Sequence, residues 1–242
     1  PSKVWDISPA SAHCEYRPEG HPFMPVCYSY KSAKGRIRAD SRTNVRSPAA
    51  MRIPAYHPDT PEVREDWARY YELVTAADAD AGDRLKELAL AGLAEDTIVF
   101  YFASSGAGMP GCAGCPYNRG LQVPLVVYIP EKFKNLRPPE YQPGGVSERL
   151  VSFVDFAPTV CSIAGIQPPG WMQGQAFLGK FTSPPVTHLF GYRGRIDDRI
   201  DSEMPHQAAT RWAPAMACSA ISSATAAGGG ASRPARFRIA GT

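Results

Sequence analysis

Residues 97–130 read TIVFYFASSGAGMPGCAGCPYNRGLQVPLVVYIP, and this stretch decides the fold. Two apolar runs, 98–103 and 123–129, are built from β-branched and aromatic residues and bounded by Gly and Pro. That composition predicts two buried strands, because branched and aromatic side chains pack well on a pleated surface. The loop between them is studded with glycine and has the composition of an active-site loop, where backbone must approach a ligand closely. It lacks most of the charged side chains such a loop would use; Arg119 is the one cation there.

Working outward, residues 61–91 predict a long amphipathic helix. Asp59 or Thr60 can cap it, and Pro61 suits a first turn that needs no backbone donor. Val63, Trp67, Tyr70, Tyr71, Val74, Ala77, Ala81, Leu85 and Leu88 recur at steps of three and four, which draws one apolar stripe. Gly92 is placed for a left-handed stop, and Gly82 for a bend or division. Upstream, HPFMPVCYSY (21–30) alternates apolar and polar residues and reads as a strand, with Pro25 counting against a central position. Downstream, SERLVSFVDFAPTVCSIA (147–164) reads as a helix with a kink or break at Pro158 and a stop at Gly165. Alternating strands and helices give an α/β fold with a mixed, mostly parallel sheet flanked by helices.

Composition narrows the function classes. The formal charge of +3 comes from 202–242, where Arg211, Arg233, Arg236 and Arg238 stand against Glu203; the body, 1–201, sums to zero. A neutral body offers no basic field for nucleic acid. The longest apolar runs are strand-sized, so no membrane span is expected. Six cysteines are too scattered for a disulfide scaffold. Residues 202–242 are dominated by Ala, Ser, Gly, Arg and Pro, with AISSATAAGGGAS at their centre, and predict a disordered tail beside a folded 1–201. The first residue is Pro rather than Met, and the chain is expected to begin inside a longer protein.

The motifs, taken in order, resemble the C-terminal part of the sulfatase domain, within the alkaline-phosphatase superfamily. Arg17-Pro18-Glu19-Gly20-His21-Pro22-Phe23 looks like the family's RPEGxPF lead-in to a core strand. Tyr56-His57-Pro58-Asp59-Thr60-Pro61-Glu62-Val63-Arg64, with Trp67 and Tyr70-Tyr71, looks like the approach to its long helix, and Asp78 and Gly82 match the D-x-x-x-G inside it. Asp96-Thr97-Ile98-Val99-Phe100 and Val123-Pro124-Leu125-Val126-Val127 look like two of its strands. Ser152-Phe153-Val154-Asp155-Phe156-Ala157-Pro158-Thr159 with Ala164-Gly165-Ile166 resembles its S-x-V-D-L-A-P-T…A-G-I helix. The likeness covers the body, 1–201.

The resemblance implies sulfuric ester hydrolysis on a sulfated small molecule or glycan, and a periplasmic or extracellular location. It also implies Ca2+ or Mg2+ held by carboxylates, with Lys and His side chains balancing charge at the sulfate. Members place an Asp-His or Asp-Asn pair after the strand matched by 97–103; here Ser104-Ser105 stand there. A hydroxyl is a neutral, weak ligand for a hard dication. The loop before Tyr117, where a Lys or Arg is expected, is Gly111-Cys112-Ala113-Gly114-Cys115, and Ser32-Ala33 stand where a Thr-His is expected. The resemblance therefore implies a sulfatase relative with impaired catalysis, the dication not bound. The first strands of the parent fold precede anything present, so exposed sheet edges and association are expected.

Other readings stay open. Ser232-Arg233-Pro234-Ala235-Arg236 satisfies the family's nucleophile pattern, with Ser232 as formylglycine precursor and Arg236 as its stabiliser, but in a tail where chance matches are common. Cys112 and Cys115 form a C-x-x-C, half a zinc site or a redox pair, with no second pair of ligands to complete it. Arg119 could contact an anionic substrate. Asp155 is expected to bond locally around Pro158, Asp78 to serve packing, and His57 to be structural or solvated. A non-catalytic relative that binds an anionic ligand is the alternative to an enzyme.

Overall fold

The computed structural model describes residues 17–18, 20–32, 34–37, 46–113, 116–193, 207–212 and 237–239. The chain divides into two compact units, Pro1–Asp96 and Thr97–Thr242.

In the first unit the described helices are α1 (Lys34–Ile37) and α2 (Pro61–Leu90). α2 begins as expected. The Thr60 hydroxyl accepts the Val63 N–H, and Pro61 fills the first turn. It runs unbroken across Gly82, and it stops because Gly92 takes φ +70° while the Leu93 N–H reaches back to the Leu88 carbonyl. The apolar stripe is only partly covered. Trp67, Ala68 and Leu88 are buried, whereas Tyr71, Val74 and Leu85 are not. A helix of 30 residues is about 45 Å long, and the described elements of this unit that pack on it are α1 and two single-turn 3-10 helices (Pro48–Ala50, Ala94–Asp96). Arg64 ties the approach to the helix: it binds both Asp59 oxygens at 2.5 and 2.7 Å and the carbonyls of Ala49 and Met51 at 3.1 and 3.0 Å. Residues 21–30 are not a strand. They are without a ladder and largely exposed, since Pro22 and Pro25 remove two of the donors a ladder would use.

The second unit holds a four-stranded sheet in the order β1 (Val99–Phe102), β2 (Leu125–Tyr128), β6 (Phe237–Ile239), β3 (Val146–Ser147). β1 and β2 pair antiparallel, from Val99↔Tyr128 to Phe102↔Leu125. β2 and β6 are parallel, and β3 and β6 antiparallel. The mostly parallel sheet expected from the alternation is therefore not what the described strands form; one ladder of this sheet is parallel. The link between β1 and β2 explains the difference. Among its described residues it carries the single-turn α3 (Asn118–Leu121) and no packed crossover helix of the kind a parallel pair needs. A separate hairpin pairs β4 (His188–Arg193) with β5 (Gln207–Trp212). Thus 202–242, expected as a tail, contribute two described strands; the rest of that stretch lies outside the described residues.

β2 alternates as a half-buried strand should, with Leu125 and Val127 inward, and with Ile129, Tyr141, Phe177 and Leu178 they form the core. Phe100 and Phe156 meet as tilted rings, centroids 5.6 Å apart, beside it. The β2 ladder ends on side chains: the Tyr141 hydroxyl accepts the Ile129 N–H at 3.0 Å, and Arg137 donates to the Ile129 carbonyl at 2.8 Å.

The single helix expected over 147–164 is instead β3, a 3-10 turn (Phe153–Asp155) and α4 (Phe156–Ile163). Pro158 lies in the first turn of α4, where backbone donors have no helical partner, so it starts the helix rather than kinking it. No described helix is long and apolar enough to cross a membrane.

Candidate functional site

β1 delivers its chain into the glycine loop. Past Phe102, the Ala103 N–H still pairs with the Pro124 carbonyl at 3.2 Å, and then Ser104 and Ser105 emerge, both exposed. The Ser105 hydroxyl makes a long bond to the neighbouring Gly106 carbonyl, 3.4 Å. The loop then folds on itself. Ala113 N–H reaches the Ala107 carbonyl at 2.9 Å, and Met109 and Cys112 are buried. Gly106 lies so close to the start of α3 that a Cβ there would fall 2.1 Å from the Arg119 carbonyl oxygen. The glycine is a packing requirement at this crossing.

Arg119 is held by the loop itself. Its Nε donates to the Gly111 carbonyl at 2.6 Å, and its guanidinium lies over the Tyr117 ring at 5.3 Å. The cation expected to meet an anion thus braces 106–111 against 117–120. One turn on, Asn118 donates to Gln122 at 2.8 Å.

The donors after β1 do not fit a hard dication. Calcium takes six to eight oxygens, carboxylates among them, and Ser104 and Ser105 offer two neutral hydroxyls. Among the described residues no three His, Cys, Asp or Glu side chains come together. Of the cysteine pair, Cys112 is buried and Cys115 lies outside the described residues; Ser232 and Arg236 lie outside them too.

Asp155 has the local role expected of it, and more. Its carboxylate accepts the Ser152 N–H and the Gln175 N–H, each at 2.8 Å. Thr159 and Ser162 continue the same seam: their hydroxyls accept the N–H groups of Phe177 at 3.1 Å and Phe181 at 2.7 Å. The polar face of α4 therefore supplies the partners that segment 174–181 cannot find within itself. Asp78 is exposed on α2. His188 packs edge-on against Phe190 at 5.0 Å.

Two contacts could not be read from sequence spacing. Lys31, one of a basic run at 31–38, pairs with Asp80 at 2.5 Å, and Ser29 donates to the same carboxylate at 2.9 Å. Lys31 and then Ser29 hold Asp80 below the usual carboxylate range. Glu131 is likewise lowered by Lys134 and Arg137. The second feature is a bond from the Trp67 indole to His57 Nδ1 at 3.1 Å. Ten residues separate the partners, outside the three- and four-step windows by which helical neighbours are read from sequence.

Comparison with known proteins adds to this geometry. Residues 18–166 match the family model described as Sulfatase. The chain is 32% identical over 237 residues to the ulvan-active sulfatase of Formosa agariphila, covering 83% of this chain and 38% of that one. It is 33% identical over 141 residues to N-sulphoglucosamine sulphohydrolase of Homo sapiens, covering 58% of this chain and 26% of that one. The chain therefore spans well under half the length of either relative.

Proposed function

The chain belongs to the sulfatase family, with the alkaline-phosphatase-like α/β fold that membership implies, and on that premise we propose that it carries the family scaffold without the family's metal chemistry. In this reading Ser104 and Ser105 occupy the positions at which a metal-ligand pair follows the strand, and they leave the site without the charge a dication requires. The observation that carries the proposal is the end of β1: two exposed hydroxyls, one turned to its neighbour's carbonyl at 3.4 Å, in a loop whose one cation braces the loop itself.

Sulfate ester hydrolysis needs the sulfate polarised and the leaving alcohol protonated. Ser104, Ser105 and Arg119 cannot supply both. The chain's role in this reading is to support the fold, and at most to bind a sulfated ligand through Arg119. The relatives' names point to a sulfated glycan as the ligand class. Across the whole family domain the sheet is proposed to be mixed and mostly parallel, with β2 and β6 as its described parallel pair.

Calorimetric titration of the chain with calcium tests the proposal. No saturable heat is expected below about 1 mM, the weak end of protein calcium sites. One tight site per chain that survives replacement of Ser104 and Ser105 by alanine would place the ligands elsewhere in the chain and overturn the reading.

A further inference from the structure

We propose that the cleft beside α4 is a subsite for an uncharged pyranose ring, with the Trp171 indole as its platform. The ligand class rests on the glycan reading above; the cleft itself is built from residues that reading does not use. Val154, Ala157, Pro158, Trp171, Met172 and Gln173 line about 280 Å³. Small-molecule pockets run from about 300 to 1,000 Å³ and combine apolar walls with a few polar groups. This cleft is at the small end, with room for one ring.

The fold holds Trp171 outward. It is 78% exposed, although an indole is among the largest apolar groups a chain can bury. Its turn is closed by the Met172 N–H, which donates to the Pro169 carbonyl at 3.0 Å, and Pro168 and Pro169 stiffen the chain before it. After it, Gly174 crosses so close to the 3-10 turn that a Cβ there would collide with the Val154 carbonyl, and the Gln175 N–H donates to Asp155 at 2.8 Å. An aromatic on a braced turn loses little freedom on binding. Among the described residues neither the Trp171 indole N–H nor the exposed Gln173 amide has a hydrogen-bond partner.

The lining selects the occupant. Between Arg149 and Lys180 the one charged residue is Asp155, and its two oxygens are taken by the N–H groups of Ser152 and Gln175. A charged ligand would find no counter-charge here. An acyl chain would need an enclosed slot, whereas Trp171 and Val154 leave the cleft open, 78% and 51% exposed. A pyranose with equatorial hydroxyls matches both parts of the wall. Its C–H face lies on the indole, whose face is the negative end of the ring quadrupole. Its rim hydroxyls reach the Gln173 amide, which both donates and accepts.

Nitrogen-15 NMR of the full chain tests the subsite. The probe is cellohexaose, an uncharged β-linked glucan, and the Trp171 indole signal is assigned by its loss in Trp171→Phe. Cellohexaose should shift that signal saturably, with a midpoint of about 1–10 mM, and leave the other three indoles unmoved. Read at the Gly174 amide, Trp171→Ala should weaken binding at least about tenfold and Gln173→Ala about threefold. Both variants should melt with the native chain, because both side chains are exposed. A Trp171 signal that does not move, or equal binding in Trp171→Ala, would overturn the inference. So would a signal that broadens with protein concentration and ignores the sugar, which would give the cleft to a second copy. Sulfated cellohexaose, read at the Arg119 Nε–H, tests the glycan reading apart from the subsite. Binding at Arg119 with Trp171 unmoved by either sugar would sink the subsite alone, and binding at Trp171 alone would uphold it and count against Arg119 as the sulfate contact.

Discussion

Replacing Asp155 separates a scaffold carboxylate from a catalytic one. Its two oxygens each accept one backbone N–H at 2.8 Å, from Ser152 before α4 and from Gln175 on the segment α4 supports. Hydrogen bonds to a charged acceptor contribute roughly 1.5–3 kcal/mol each. The Gln175 bond is at the exposed end of the seam, where water can take over part of it. Asp155→Ala should therefore cost about 2–3 kcal/mol rather than the full sum. Asp155→Asn keeps one acceptor and turns an NH2 toward the other donor, so its cost should be about half that. In a chain of this size the alanine variant should melt about 5–10 °C lower. Urea unfolding followed by far-UV circular dichroism should show a lower midpoint at unchanged slope. A loss for Asp155→Ala below about 0.5 kcal/mol, the range of an ordinary surface substitution, would refute the reasoning. So would a destabilisation that appears only when calcium is present, which would make Asp155 a ligand.

Three further outcomes follow from particular contacts. Gly179→Ala should be among the most damaging single changes: the residue takes φ +93°, and a Cβ would sit 2.6 Å from both the Ile163 nitrogen and the Ser162 carbonyl carbon. A loss of more than about 3 kcal/mol in urea is expected. Asp80 has a lowered pKa in the folded chain, so its contribution is fully present above the ordinary aspartate range and is lost as pH falls through the folded value. Lys31→Met should accordingly narrow its stability gap from the native chain as pH drops from about 5 to about 2, and a gap that is constant with pH would count against the pair. Ser104→Asp with Ser105→His should leave aryl sulfate turnover at background, because two added ligands do not complete a six- to eight-oxygen site; turnover would show that the remaining ligands and a nucleophile are already within the chain.

Much of the fold could be read from local chemistry. Thr60, Pro61 and Gly92 mark the ends of α2 by capping alone, and the branched and aromatic runs gave β1 and β2 to within two residues at either end. The errors arose where one residue type serves two roles. Pro158 can break a helix or begin one, and the bonds that decide it come from Asp155, Thr159 and Ser162 to residues 18 to 20 positions away. Residues 21–30 had the alternation of a strand, but alternation alone does not provide a partner for the backbone. In the site loop the scarcity of charge could be read directly. The bracing by Arg119 could not, because it depends on Gly106 and Gly111 meeting α3 across the loop. The stripe on α2 was drawn correctly; how much of it is covered depends on packing that periodicity does not encode.

The most direct test of the central claim is turnover of an aryl sulfate by the chain with calcium supplied. Release of the phenol should match the buffer control at every substrate concentration. Saturable release above that control, abolished by a chelator and restored by calcium, would contradict the claim that this sulfatase scaffold lacks the family's metal chemistry.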